Sequence, residues 1–164
     1  MSRLVILRGI TGAGKTTLGK RLAQPPNGFT VMELDDVKLS KYGTTTKCTP
    51  NTDFPEFGRR VGHELRMGKD VVAIEAFVDK QHVDWFMNGV ANSVPSDSIF
   101  VVWMQCDVAT ATQRKAGVLD PAVVKRQHAR LPGRFHHLGE LILDTTSLRP
   151  DETLNRVMKH MASS

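Results

Sequence analysis

Gly9-Ile10-Thr11-Gly12-Ala13-Gly14-Lys15-Thr16 follows directly on the apolar run Leu4-Val5-Ile6-Leu7 and leads into a helical stripe marked by Leu18 and Leu22. The stretch fits G-x-x-x-x-G-K-[ST], the spacing of a P-loop, and it has the strand before it and the helix after it that such a loop requires. Glycines let backbone N–H groups converge on phosphate oxygens at the positive end of a helix. The candidate nucleotide contacts are therefore Gly9, Thr11, Gly12, Ala13, Gly14, Lys15, Thr16 and Thr17. Lys15 carries a mobile charge toward the β- and γ-phosphates of ATP, and the Thr16 hydroxyl is a ligand for Mg²⁺.

Outward from this loop, short apolar runs alternate with helical patterns. The runs are Leu4–Leu7, Val31–Leu34, Val71–Ile74, Ile99–Met104 and Leu141–Leu143. Most are uninterrupted, as strands covered on both faces must be. Between them lie the stripes Phe57-Val61-Leu65 and Val83-Phe86-Met87-Val90, and Leu154, Val157, Met158 and Met161 mark a closing helix. The fold expected is α/β: a three-layer P-loop NTPase fold with a five-stranded parallel sheet, helices on both faces and an arginine-containing lid. The 164 residues, 40% of them hydrophobic, suit a single domain over 1–164, with 114–134 as the candidate lid and 40–54 as a second long loop.

Composition narrows the setting. Cys48 and Cys106 lie far apart and match no metal spacing, which points to free thiols in a cytoplasmic protein. No apolar run approaches the roughly 20 residues that span a bilayer. Lys and Arg number 22 against 17 Asp and Glu, a net charge of +5 that suits ATP and keeps nucleic acid among the candidate partners. No Asn-Lys-x-Asp element for reading guanine is present.

The acceptor side is written in acidic strand ends. Leu34-Asp35-Asp36-Val37-Lys38 puts carboxylates at the C-terminal edge of the sheet, where open α/β folds bind ligands. Asp35 is the first choice to orient an attacking hydroxyl and take its proton; Asp36 also fits a helix N-cap for a segment starting at Val37. Glu75, after Val71–Ile74, is placed to hold a water on Mg²⁺ beside Thr16. Arg114, Lys115, Lys125, Arg126, Arg130 and Arg134 populate the lid segment, with Arg114 the first candidate to neutralise charge on the transferring phosphoryl group. Arg59 and Arg60, with Arg66, are candidates to grip an anionic acceptor or are ordinary solvated surface. His136-His137 reads as loop surface, since adjacent side chains point different ways.

These features together resemble the small kinase-type P-loop proteins that include polynucleotide 5′-hydroxyl kinases, zeta-toxin-like kinases and chloramphenicol phosphotransferases. The resemblance covers nearly the whole chain: the P-loop, the Asp35-Asp36-Val37-Lys38 element, Leu65-Arg66-Met67-Gly68 before the run ending in Glu75, the lid opening at Arg114, and Asp144-Thr145-Thr146 before the last helix. It implies Asp35 as general base, Lys15, Thr16 and Arg114 as phosphate apparatus, and Asp36 and Lys38 beside the acceptor. Lys38 stands where polynucleotide kinases usually carry an arginine, and a lysine lacks its bidentate fork. Glu75 stands for the more usual Asp, and the lid is shorter and less rich in arginine than many.

The activity expected is ATP-dependent transfer of the γ-phosphoryl group to an acceptor hydroxyl, on a polynucleotide 5′ end or on a small molecule such as a nucleoside, sugar or antibiotic. The alternatives are a nucleoside monophosphate kinase, in which Arg59 or Arg60 would hold a phosphorylated acceptor, and a non-catalytic or slow NTPase module acting through a partner.

Overall fold

The computed structural model describes residues 2–130 and 140–163. Strand β1 (Leu4–Gly9) leads through the P-loop into helix α1 (Lys15–Ala23), then β2 (Thr30–Glu33), α2 (Leu34–Tyr42), α3 (Pro50–Arg66), β3 (Val71–Ile74) and α4 (Lys80–Val90). After a short 3₁₀ turn at Ser96–Ser98 come β4 (Ile99–Gln105), α5 (Val108–Arg114), α6 (Pro121–Ala129), β5 (Leu141–Asp144) and α7 (Pro150–Ala162).

The strands form one parallel sheet in the order β2-β3-β1-β4-β5. β1 lies at its centre, with every residue buried. Successive side chains leave a strand on opposite faces, so β1 seeds two cores. Val5 and Leu7 pack with Leu18 and Leu22 of α1 and Val157 of α7, whereas Leu4 and Ile6 pack with Val37 of α2, Phe57 and Val61 of α3 and Phe86 of α4. The chain winds from β1 toward β2 and β3 on one side, then crosses back to β4 and β5 on the other. That reversal opens a crevice at the C-terminal end of β1, where the P-loop begins. Pairing of Leu7 with Ile74 and of Gly9 with Met104 brings the ends of β3 and β4 to either side of the start of the P-loop.

Three local boundaries differ from the sequence reading. The helix after β2 starts at Leu34, not Val37, because the Asp36 carboxylate accepts the Glu33 backbone N–H at 3.3 Å and closes a capping box. Asp35 and Asp36 therefore sit in the first turn of α2, and the carboxylate at the strand end is Glu33. The loop expected over 40–54 shrinks to 43–49, since α2 runs to Tyr42 and α3 starts with Pro50 at its first position. Within the expected lid, α5 ends at Arg114 and a second helix, α6, spans Pro121–Ala129, while Arg134, His136 and His137 lie outside the described residues.

Helices α3 and α4 meet glycine to glycine. A Cβ on Gly58 would lie 2.1 Å from the Phe86 carbonyl oxygen, and one on Gly89 would lie 2.5 Å from that of Pro55. Among the described residues, no helix is long and apolar enough to cross a membrane.

Candidate functional site

The P-loop is shaped by what its glycines permit. Gly9 has φ +137°, and a side chain there would bring a Cβ to 2.0 Å from the Met104 carbonyl oxygen. Gly14, at φ +94°, caps α1 with no side chain on the free N–H groups and no acidic residue in the first turn. The helix thus presents open donors and the positive end of its dipole to the crevice. Lys15 folds back so that its Nζ donates to the carbonyls of Gly9 at 2.7 Å and Ile10 at 2.8 Å. Burial pushes the Lys15 ammonium down to about 8; Glu75 and Glu33 oppose the shift and Lys115 adds to it.

Behind the loop, Thr145 at the end of β5 is almost fully buried. Its Oγ1 lies 2.9 Å from the carbonyls of both Ala13 and Gln105. Arg114, at the end of α5, donates to the Gly12 carbonyl at 3.1 Å, to Thr145 Oγ1 at 3.2 Å and to the Thr145 carbonyl at 2.6 Å. Arginine and threonine together tie the P-loop to the ends of β4 and β5. Between them and α7 lies a cavity of ≈ 200 Å³ bordered by Gly14, Leu18, Met104, Arg114, Leu148 and Pro150, a mainly apolar recess beside the phosphate cradle.

A larger cleft, of ≈ 710 Å³, opens on the other side of Lys15 and Thr16. Its charged wall is made by Glu33, Asp35, Lys38, Glu75 and Arg130, and Thr45, Thr46 and Gln127 add neutral polar groups. Lys38 Nζ donates to Asp35 Oδ1 at 2.9 Å. Burial lowers the Lys38 ammonium, but the Asp35 hydrogen bond and the nearby Glu75 outweigh it and hold the group above its usual range. Glu33 is raised, first by burial and then by Asp36, Asp35 and Glu75, with Lys15 opposing. Glu75 is held by its own turn: its Oε1 accepts the Ala76 N–H at 2.7 Å. The chain then bends sharply at Phe77, a non-glycine residue at φ +48°. Such a conformation persists only where packing over-determines it, and here the buried Phe77 ring lies 5.7 Å from Phe54 and 5.3 Å from Phe86.

A family model described as an AAA domain matches residues 4–138. The chain belongs to that AAA domain family. Similar solved structures, among them kinases, carry the same fold over nearly their whole length. A gluconokinase from Sinorhizobium meliloti is 14% identical, with a TM-score of 0.70 over 98% of this chain and 92% of that one. A shikimate kinase from Acinetobacter baumannii, in complex with shikimate, is 19% identical, with a TM-score of 0.65 over 99% and 94%. The tunicamycin resistance protein of Deinococcus radiodurans is 14% identical, with a TM-score of 0.72 over 98% and 95%. Among curated proteins, the pentafunctional AROM polypeptide of Komagataella phaffii is 39% identical over 74 residues; the match spans 44% of this chain and 4% of that polypeptide. This member of the family thus has the fold of the small P-loop kinases, as the sequence resemblance implies.

Within this AAA-family chain, the fold gathers Lys15, Thr16, Asp35, Lys38 and Glu75 around one cleft. Gly12, Gly14, Thr17, Arg114 and Lys115 border an adjoining groove over the cradle, and Thr11, Lys15 and Thr16 belong to the walls of both. Arg114 thus lies beside the P-loop, while Arg130, at the end of α6, lines the cleft that contains Asp35. Asp36 is spent on the helix start. Arg59 and Arg60 lie elsewhere: both pair with Glu56, Arg60 also reaches Ser40 at 2.8 Å, and they border a surface groove with His63 and Arg66 that contains no P-loop residue.

Glu33 and Thr145 were not singled out from sequence. A lone carboxylate closing the run Val31-Met32-Glu33 was the available signal for Glu33; Thr145 stood in the sequence only within Asp144-Thr145-Thr146, with no role of its own, because that role is a set of long-range hydrogen bonds. The oxygen-bearing side chains of Thr16, Glu33, Asp35 and Glu75 line the cleft, and oxygen is the donor type that a hard cation such as Mg²⁺ takes. Among the described residues, however, no group of three or more acidic, histidine or cysteine side chains comes together to hold a metal ion.

Proposed function

We propose that the protein is an ATP-dependent kinase, a single domain that transfers the γ-phosphoryl group to a hydroxyl of a small polar molecule. The observation that carries this reading is that Asp35 lines the same cleft as Lys15 and Thr16 of the P-loop, with its carboxylate held by Lys38. The P-loop N–H groups and Lys15 bind the β- and γ-phosphates, and Thr16 and Glu75 are the residues that would hold Mg²⁺. When bound, the Mg²⁺ neutralises phosphate charge. Asp35 orients the acceptor hydroxyl and takes its proton as the oxygen bonds to the γ-phosphorus; the bond from that phosphorus to the β–γ bridging oxygen breaks, and ADP leaves. The α5–α6 segment, with Lys115 on one side and Arg130 on the other, acts as the arginine-bearing cover.

A small acceptor is favoured over an oligonucleotide. Among the described residues no aromatic side chain lines the cleft, so none of them offers the stacking platform on which a base would rest. The basic residues Arg59, Arg60 and Arg66 belong to a separate groove, which also counts against a nucleoside monophosphate kinase that would use them. Similar structures named as gluconokinase, sugar kinase and shikimate kinase fall in line with a small hydroxylated acceptor.

The test is transfer of label from [γ-³²P]ATP to a panel of sugars, sugar acids, shikimate and a 5′-hydroxyl oligonucleotide. Transfer to a small hydroxyl compound, lost in Asp35→Asn, is the expected result. Binding of ATP with no transfer to any member would overturn the kinase reading in favour of a nucleotide-binding module.

A further inference from the structure

The loop at 43–49 joins α2 to α3 and carries Thr45 and Thr46 on the wall of the large cleft. At the base of this loop several hydrogen bonds converge on one carboxylate. Asp53, in the first turn of α3, is fully buried. Its Oδ1 accepts from Lys41 Nζ at 2.7 Å, Tyr42 Oη at 3.1 Å and Thr52 Oγ1 at 3.2 Å, and its Oδ2 accepts the Thr49 N–H at 2.6 Å. Lys41 and Tyr42 precede the loop, and Thr49 ends it. Tyr42 also reaches Thr49 Oγ1 at 2.9 Å, and its ring carries Lys47 at 4.8 Å from the centroid.

A carboxylate whose only task was to start α3 would need the Thr49 N–H alone. Asp53 instead bridges the last turn of one helix and the first turn of the next, and so closes the base of the loop like a clasp. A buried carboxylate is tolerated only while its acceptor sites are filled, so this network forms as a unit or not at all. Burial pushes the Asp53 carboxyl up, but the bonds from Lys41, Thr49 and Tyr42 outweigh it and hold the group below its ordinary value, consistent with an ionised clasp.

We propose that Asp53 is a positioning residue for acceptor selection: it fixes the 43–49 loop so that the Thr45 and Thr46 hydroxyls face the acceptor beside Asp35 and Lys38. The inference rests on the proposed function and assigns the acceptor chemistry more narrowly. Neutral hydroxyls from the loop, with Gln127 across the cleft, can each donate and accept, and they match an acceptor carrying several hydroxyl groups.

Cys48 supplies a readout inside the loop. It is exposed, and its thiol is within electrostatic reach of Asp53 and Lys38, whereas Cys106, the other thiol in the chain, is buried. The experiment compares wild type, Asp53→Asn and the double surface variant Thr45→Val, Thr46→Val, using whichever compound of the labelled panel wild type phosphorylates best. In Asp53→Asn the acceptor KM rises about tenfold or more, as expected when hydrogen-bond partners are misplaced, while the KM for ATP holds and Cys48 reacts faster with a thiol reagent. In the threonine double variant the acceptor KM rises with unchanged Tm and unchanged Cys48 reactivity, which separates acceptor contact from folding. Unchanged acceptor KM in both variants overturns the inference, as does an Asp53→Asn protein in which acceptor and ATP KM worsen together with Tm. A wild-type protein that phosphorylates no member of the panel removes the proposed function itself, a result distinct from either of these.

Discussion

The partly buried ammonium of Lys15 makes nucleotide affinity depend on pH in a direction that can be worked out. In the free protein burial has pushed it down to about 8 from an ordinary 10.5, against the opposing charges of Glu75 on the β3 end and Glu33 on β2. Lys115, after α5, pushes it down further. Phosphate oxygens arriving at the cradle favour the charged form and return the group toward its ordinary value. ATP binding and proton binding at Lys15 are therefore linked: ATP takes up a proton wherever the free lysine is neutral. At pH near 8 about half of the free protein lacks that proton, so binding takes up about 0.5 proton per site. Between about pH 7 and about pH 9 the neutral share rises until affinity falls about tenfold, or about 1.4 kcal/mol. The Cys106 thiol, raised by burial from 9.0, titrates above most of this window. The assay is calorimetry of Mg²⁺ and a non-hydrolysable ATP analogue, in paired buffers of different ionisation enthalpy. Lys15→Arg, whose guanidinium stays protonated, loses the pH slope. Equal affinity across the window with no proton uptake would refute the reasoning, because a lysine already charged in the free protein gains nothing from the phosphates.

Asp35→Asn keeps the shape of the cleft but removes its proton acceptor; kcat falls by about 10² to 10⁴ while ATP affinity by calorimetry is retained. Thr145→Val is nearly isosteric and deletes the hydroxyl between the Ala13 and Gln105 carbonyls, so the protein loses about 1–3 kcal/mol in urea unfolding and binds ATP more weakly. Gly58→Ala forces a Cβ to 2.1 Å from the Phe86 carbonyl and costs about 1–3 kcal/mol in the same measurement, with the kinetic constants of the folded fraction unchanged.

The P-loop and the elements that flank it were readable from sequence and the surroundings of Asp35 only in part, for a physical reason. Phosphate is held by backbone N–H groups at a helix start, and the backbone path depends on residues close together in the chain. Gly9 and Gly14 mark the required φ values at fixed spacing, so a local pattern suffices. Uninterrupted apolar runs likewise announce a parallel sheet, and the strands appear where those runs lie. The junction after β2 was harder, because Asp35-Asp36 offers two ways to start a helix. The choice between them was made by a hydrogen bond from Glu33, which moved the start to Leu34 and turned Asp36 away from the cleft.

Arg114 illustrates the other kind of limit. Sequence placed it in a lid, but whether a guanidinium at the end of α5 faces nucleotide or acceptor depends on what meets it in space. The Gly12 and Thr145 carbonyls, far away in the chain, draw it against the P-loop, and Arg130 is the arginine that lines the cleft with Asp35. The same reasoning explains why the 43–49 loop is silent in sequence. Its threonines could belong to any exposed turn; only the convergence of Lys41, Tyr42 and Thr49 on buried Asp53 distinguishes a held segment from a loose one. Substitutions within such a loop can retune the wall of the cleft while the clasp and the cradle stay intact. For that reason a likeness of fold to kinases of different named substrates leaves the chemistry of this cleft to be read from its own side chains.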